Sequence, residues 1–456
     1  MPPDVNPYQD IIERNFSIEV ITPMFGGGVE PGVYDLSMLI RPTSIRGHLR
    51  FWWRATRGVR FNDIKELFQR EGEIWGSTEN PSPVIIEAKV DAFDKSTECA
   101  RYDKPGKFTP RWCEPFDDYD SSLPYALFPF QGRSPDNANP EDPAEFIRSA
   151  SFKLIALIPT DARMATLRSA FNEQRKDRNL SSLNPSDDNI LKDVEASIWA
   201  WVNFGGIGAR TRRGCGALFC REPGFVPQSI EEIDYWYGSN LEKFGIKSFD
   251  TRKWPTIPRT FLLQKANEKP LVAWNSSVKL LRDFRQGKRI GRNPGMGITP
   301  GRSFWPEPES IRNLTGYRLK KHDPLDMPAN AFPRAEFGLP IVFHFKDDNK
   351  GEPKETQLYP KGSQRMNSPL ILRPLAIGSG KMAVAMVMRM TTSPVREIEL
   401  KLSKNKNIPF GEKSIRDPKL ANYLNSPMKT RSRDGSALDA FMFFAEHERK
   451  FLKVSA

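Results

Sequence analysis

The chain has 456 residues, room for two to four domains at roughly 100–200 residues each. Its 68 Lys and Arg against 56 Asp and Glu give a formal charge of +12, which suits a polyanionic partner. No apolar run approaches the ~20 residues of a membrane span, and 38% hydrophobic residues beside 39 prolines indicate loops around packed cores, not a disordered chain.

In chain order, Phe16 to Thr22 alternates and is rich in β-branched residues, which predicts a first strand. A loop over residues 23–42 carries Gly26, Gly27 and Gly28 and leads to Ser44, an expected N-cap for a helix over 45–57. A short helix near 62–70 and a strand near 83–91 follow. Residues 92–150 are rich in proline and acid and read as an insertion of loops. Ser151 to Ile158 reads as a strand, and Ile190, Val194, Ile198 and Trp201 give residues 187–203 a helical period. One helix after the first strand and another before the last fit a βαββαβ, ferredoxin-like (RRM-like) unit over residues 1–222. Residues 223–257 break up with proline, glycine and acid and read as a linker. Beyond them, residues 258–456 offer a helix near 274–286, strands near 336–346, 369–377 and 381–391, and a final helix near 436–451. The expected fold is α+β: two tandem ferredoxin-like domains with long loop insertions.

The stretch FGGIGARTRRGCGAL, residues 204–218, brackets Arg210, Arg212 and Arg213 with Gly205, Gly206, Gly208, Gly214 and Gly216. Backbone N–H groups in such a loop can form an anion-binding concavity, and guanidinium forks add phosphate contacts. No Lys-Ser/Thr follows the glycines, so this is no P-loop, and Thr211 replaces the third glycine of a dinucleotide fingerprint. A nucleic-acid polymer therefore fits better than a mononucleotide. The alternative is a glycine-rich hairpin with solvated arginines.

On the helix SIRGHLRFWWRATR, Ile45, Leu49, Trp52 and Thr56 share one side, and Arg46, Arg50, Arg54 and Arg57 share another. Trp53 borders the arginine stripe and is a candidate for stacking a base. A phosphate backbone would neutralise the ridge; a solvated basic face with Trp53 in the core is the alternative. A third basic segment, residues 282–303, carries Arg285, Lys288, Arg289 and Arg292 and reads as an arm that orders on nucleic acid.

Candidates for catalysis are sparse. Glu30 and Asp35 precede the arginine helix and could hold magnesium, although loop acids more often pair with arginines. His48 falls on the apolar side of its helix, and no HxH or HExxH spacing occurs. The four cysteines match no zinc spacing. No cofactor, metal or catalytic residue is expected, and the absence of an apolar leader makes a cytoplasmic location the expectation.

Together, ITPMFGGG joined to RPTSIRGHLRFWWRATRG, the loop GGIGARTRRGCGAL, PGRSFWPEPESIR, AEFGLPIVFHF and RMNSPLILRPLAIG resemble the RAMP superfamily of CRISPR proteins. Within it they resemble the first RAMP subunit of the type III-B (Cmr) effector complex. The resemblance implies tandem ferredoxin-like domains, guide RNA, single-stranded target RNA and other RAMP subunits as partners, and no membrane. It also implies a place toward the guide's 3′ end, a part in target capture, and no cleavage by this subunit. An endoribonuclease using Asp35, Glu30 or His48 remains the alternative.

Overall fold

The protein is described by a computed structural model, covering residues 10–26, 32–78, 80–102, 109–118, 120–137, 139–177, 189–247, 249, 252–293, 302–319, 330–402, 406–421 and 426–456. The expected glycine-bearing loop is therefore described only up to Gly26 and from Gly32, and Glu30 lies outside the described residues.

The first half runs β1 (Ile11–Val20), α1 (Pro42–Ala55), α2 (Ile64–Trp75), β2 (Ile85–Phe93), β3 (Ala150–Pro159), α3 (Asp161–Asp177), α4 (Ile190–Phe204) and β4 (Leu218–Cys220). Its sheet has the order β2-β3-β1-β4, with all neighbours antiparallel. Phe16 faces Leu154, and Ile18 faces both Phe152 and Cys220, so one face of β1 is apolar and buried. α5 (Ile233–Lys243) then leads to β5 (Thr260–Leu263), α6 (Pro270–Gln286), β6 (Leu370–Ile377), β7 (Met382–Arg389), α7 (Ala437–Phe443) and β8 (Leu452–Ser455). The second sheet, β6-β7-β5-β8, repeats the first in both strand order and antiparallel pairing.

Several sequence expectations shift. α1 begins at Pro42, in the first-turn position where a missing N–H costs nothing, so Ser44 is inside the helix and is not its cap. α3 has no counterpart among the expected elements; its apolar residues are too few to set a clear period. The supposed linker 223–257 contains α5, which buries Ile233, Trp236, Tyr237 and Leu241. The insertion is more ordered than a set of loops: short strands and a helix, Leu123–Leu127, close over Phe25, Phe116 and Phe146, and this cluster also takes Trp274 and Val278 from α6. A further four-stranded sheet, Ile341–Phe343, Thr356–Pro360, Ile398–Leu402 and Lys406–Phe410, interrupts the second repeat with a core of its own. The expected last helix ends early, giving way to β8.

The core does not respect the midpoint of the chain. α4 buries every residue from Ala196 to Phe204, as a helix apolar all round must. Around it, Phe16, Ile18, Leu154 and Leu218 of the first sheet join Ile371, Leu375, Val384, Met386 and Val454 of the second in one cluster. The glycine loop leaves α4 from the centre of this shared core.

Candidate nucleic-acid interface

The arginine ridge on α1 is largely neutralised from within. α2 runs to Trp75 and places Glu71, 2% exposed, against α1. Arg50 donates from Nε to Glu71 Oε1 at 2.6 Å, and Arg54 donates from Nη1 to the same oxygen. Arg57 lies beyond the helix end, buried, with Nε 2.8 Å from Asp193 Oδ1 and Nη1 donating to the Phe244 carbonyl. Asp193 in α4 has no exposure and also meets Arg70 at 3.1 Å and Arg60 at 3.5 Å. Arg57 is therefore corrected from a phosphate ligand to the partner of a buried carboxylate, whereas Arg50 and Arg54, with side chains 37% and 27% exposed, share Glu71 and keep part of their surface open. Only Arg46 of the ridge lacks an ion pair among the described residues; its Nε is sealed and unpartnered.

Trp53 is likewise corrected. It is fully buried, tilted against Phe61 at 6.1 Å, and presents no face on which a base could stack.

The glycine loop is a joint between the two repeats. Gly205 and Gly206 press against Trp52 and the Gly216 carbonyl, and Gly208 presses against the Phe25 carbonyl. Gly214 has φ +86°, and a Cβ there would fall 2.4 Å from the Trp274 ring and 2.8 Å from the Leu372 carbonyl oxygen. At Gly216, φ +59°, a Cβ would meet the Ile207 carbonyl at 2.0 Å. Close backbone approach is indeed required, but by the chain itself. Each of these five glycines is thus an internal packing position.

The loop's arginines divide. Arg212 donates to the Ser368 carbonyl and lies over the Phe51 ring at 5.3 Å. Arg213 donates to the Leu370 carbonyl at 3.1 Å and the Ser368 hydroxyl at 3.0 Å, while Trp274 Nε1 donates to Arg213's own carbonyl at 2.5 Å. Arg210, at φ +56°, lies over Phe128 of the insertion at 5.7 Å. None of the three has a carboxylate partner among the described residues, and burial lowers the pKa of each, Arg213 to about 9.

The third basic segment keeps its open character. At the end of α6, Asp283 engages Lys279 at 2.5 Å and Arg282 at 3.1 Å. Lys288, Arg289 and Arg292, exposed and without an ion-pair partner among the described residues, follow in a tight reversal in which Arg289 N–H donates to the Arg292 carbonyl at 2.7 Å. Arg285 is half-buried over the Phe337 ring at 5.6 Å.

Against this geometry stand the likenesses to known proteins. Residues 17–219 match the RAMP superfamily model. A 207-residue stretch, 45% of this chain and 94% of the relative, is 28% identical to the CRISPR system Cmr subunit Cmr1-2 of Pyrococcus furiosus. Among solved structures, the apo form of Cmr1 from Pyrococcus furiosus aligns over 88% of this chain and 93% of its own, with 16% identity and a TM-score of 0.43. A chain of the type III-B Cmr-beta complex bound to cognate target RNA aligns over 92% and 98%, with 12% identity and a TM-score of 0.43. The resemblance of this chain to the RAMP superfamily, and within it to a Cmr subunit, therefore rests on sequence matches as well as on the motifs.

The RAMP-matched segment contains α1 and the glycine loop but ends before Arg285, Lys288, Arg289 and Arg292. Asp35 caps a 3-10 turn, accepting from Ser37 N–H at 3.1 Å and pairing with Arg41 at 3.3 Å; the Ser37 hydroxyl holds its pKa down. His48 is half-buried, stacked on Trp201 at 6.2 Å, and burial lowers its pKa. Among the described residues no group of three His, Cys, Asp or Glu could hold a metal ion, and no helix is long and apolar enough to cross a membrane. Sequence reasoning missed Arg334, Tyr125 and Arg373. Tyr125 lies in the stretch read as loops and Arg334 just ahead of the strand expected near 336–346, and nothing in the pattern around Arg373 marks it as buried.

Proposed function

We propose that this chain is a non-catalytic, RNA-binding subunit of a type III-B CRISPR effector complex, acting in the cytoplasm with guide RNA, target RNA and other RAMP subunits. It would sit toward the guide's 3′ end and help capture target RNA. In this reading each repeat is a ferredoxin-like domain, residues 1–222 and 258–456, with 223–257 between them; the identical strand order of the two sheets supports the tandem arrangement.

The observation that carries RNA binding is the exposed trio Lys288, Arg289 and Arg292, without carboxylate partners among the described residues. Arg46 and the 210–213 arginines would add to the same electrostatic attraction. Cations aimed at phosphates displace condensed counterions, with a slope of roughly −0.7 per phosphate on a single strand. Replacing the trio with alanine should weaken binding of unrelated single-stranded RNAs alike and flatten the dependence of log K on log salt by about two. An unchanged slope in the folded triple variant would overturn the assignment. Metal-dependent cleavage of RNA by the purified chain, lost in Asp35→Asn, would favour the nuclease alternative.

A further inference from the structure

Arginines from three separate segments crowd one region with too few carboxylates to balance them. Arg210 and Arg213 come from the glycine loop, Arg285 from the end of α6, and Arg334 from the 3-10 turn Pro333–Phe337. Burial lowers the pKa of Arg213, and Arg210, Arg285 and Arg212 lower it further; Arg334 is lowered by burial and by Arg285. Tyr125 packs against both clusters that α6 enters, through Leu281 and Phe284 and through Trp274 and Val278, and Trp274 Nε1 reaches the Arg213 carbonyl; its phenol raises the pKa of Arg210, Arg213 and Arg334 alike. Glu307 is committed to Arg334, its carboxylate lying 3.1 Å from Nε and accepting the Arg334 backbone N–H at 2.7 Å, and no ion pair joins Arg210, Arg213 or Arg285 to a carboxylate among the described residues.

The crowd is held by rings more than by anions. Arg210 lies over Phe128, Arg285 over Phe337, and Arg334 over Phe343 at 5.3 Å and Trp305 at 5.8 Å. The Nε of Arg210, the Nε of Arg285 and the Tyr125 hydroxyl are sealed from solvent without a hydrogen-bond partner. The terminal amino groups of Arg210 and Arg285 have no acceptor among the described residues. Partly desolvated cations whose forks lack acceptors among the described residues, and an orphaned hydroxyl, are costly alone and are relieved by an oxyanion.

We infer that Arg210, Arg213, Arg285 and the Tyr125 hydroxyl form a receptor for a single phosphate group of a nucleotide chain, with Arg334 and Phe128 as its walls. The inference rests on the RNA-binding reading for the source of the phosphate, and it joins the insertion and the second repeat to the glycine loop in one site. Two sources share this chemistry, an internal phosphodiester and a terminal phosphomonoester.

The test uses the full chain and titrates five-nucleotide RNAs with a 3′-phosphate, with a 5′-phosphate, or with neither, alongside inorganic phosphate. Arg285→Gln should weaken oligonucleotide binding about tenfold and Tyr125→Phe about threefold, while thermal stability without ligand stays level or rises. A loss confined to phosphate-ended RNAs identifies a terminal group; an equal loss across all three identifies an internal one. Unchanged affinity in both variants overturns the receptor, and a fall in stability without a fall in affinity makes the cluster scaffold. If Arg285→Gln does not fold, the affinity of Tyr125→Phe decides between receptor and scaffold. The Lys288, Arg289 and Arg292 variant reports on RNA binding separately, so the receptor can fail while that reading stands.

Discussion

Arg373 donates from Nη1 to the carbonyl oxygen of Gly205, 2.5 Å away, although it has no solvent exposure and no carboxylate partner among the described residues. From β6 it also reaches the Leu218 carbonyl at 3.1 Å and, through Nε, the Pro374 carbonyl at 2.9 Å. One guanidinium thus holds both ends of the glycine loop, and burial pushes its pKa down to about 9.

Replacing Arg373 with methionine should cost about 3 kcal/mol, because the Gly205 and Leu218 carbonyls would remain buried without donors. Urea denaturation measures this directly. A loss below about 1 kcal/mol would mean that water or a rearranged loop satisfies them.

Asp193 has the strongest claim among the buried acids, since Arg57, Arg60 and Arg70 all converge on it. Asp193→Asn should destabilise the protein by about 3–5 kcal/mol by leaving buried guanidinium groups uncompensated. Equal midpoints for the two proteins in a denaturant titration would contradict this.

Gly214→Ala should cost about 2–4 kcal/mol, since the methyl would enter the Trp274 ring at a backbone conformation L-residues resist. The melting temperature should fall while the RNA affinity of protein that remains folded is unchanged. A variant with normal melting and weakened RNA binding would return the glycine to the interface.

His48 gives the protein an acid-side sensitivity. Its folded pKa lies below the ordinary value near 6.5, so on acidification the unfolded chain takes up the proton first. Its contribution is intact above that value and is lost as pH falls from there toward the folded pKa. Between pH 7 and pH 5, His48→Gln should show a shallower fall in melting temperature than the parent. Parallel curves would exclude His48 as the source.

Most main strands and the helices α1 and α4 were legible because their apolar periods are strong: Phe16 to Val20 alternates, and α4 carries Ile190, Val194, Ile198 and Trp201. The ridge on α1 was legible as a ridge but not as a closed one. The period of α2 fades after Arg70, so the sequence does not place Glu71 opposite Arg50 and Arg54. Trp53 borders a polar stripe on the wheel, yet Phe61 and α2 cover it from outside the helix. The glycines correctly signalled close approach; what approaches, Trp274 and the Leu372 carbonyl, is distant in sequence and invisible to local spacing. The convergence of Arg210, Arg213 and Arg285 is hidden for the same reason.

Since strands from both sheets close upon α4, neither half owns its interior. Cutting the chain near residue 222 would bare Trp199, Trp201 and Phe204 to water on the side that Leu375, Met386 and Phe261 now cover. The two repeats are thus bound to melt together, in a single calorimetric transition. The RAMP-matched stretch, residues 17–219, ends inside a core that the rest of the chain completes.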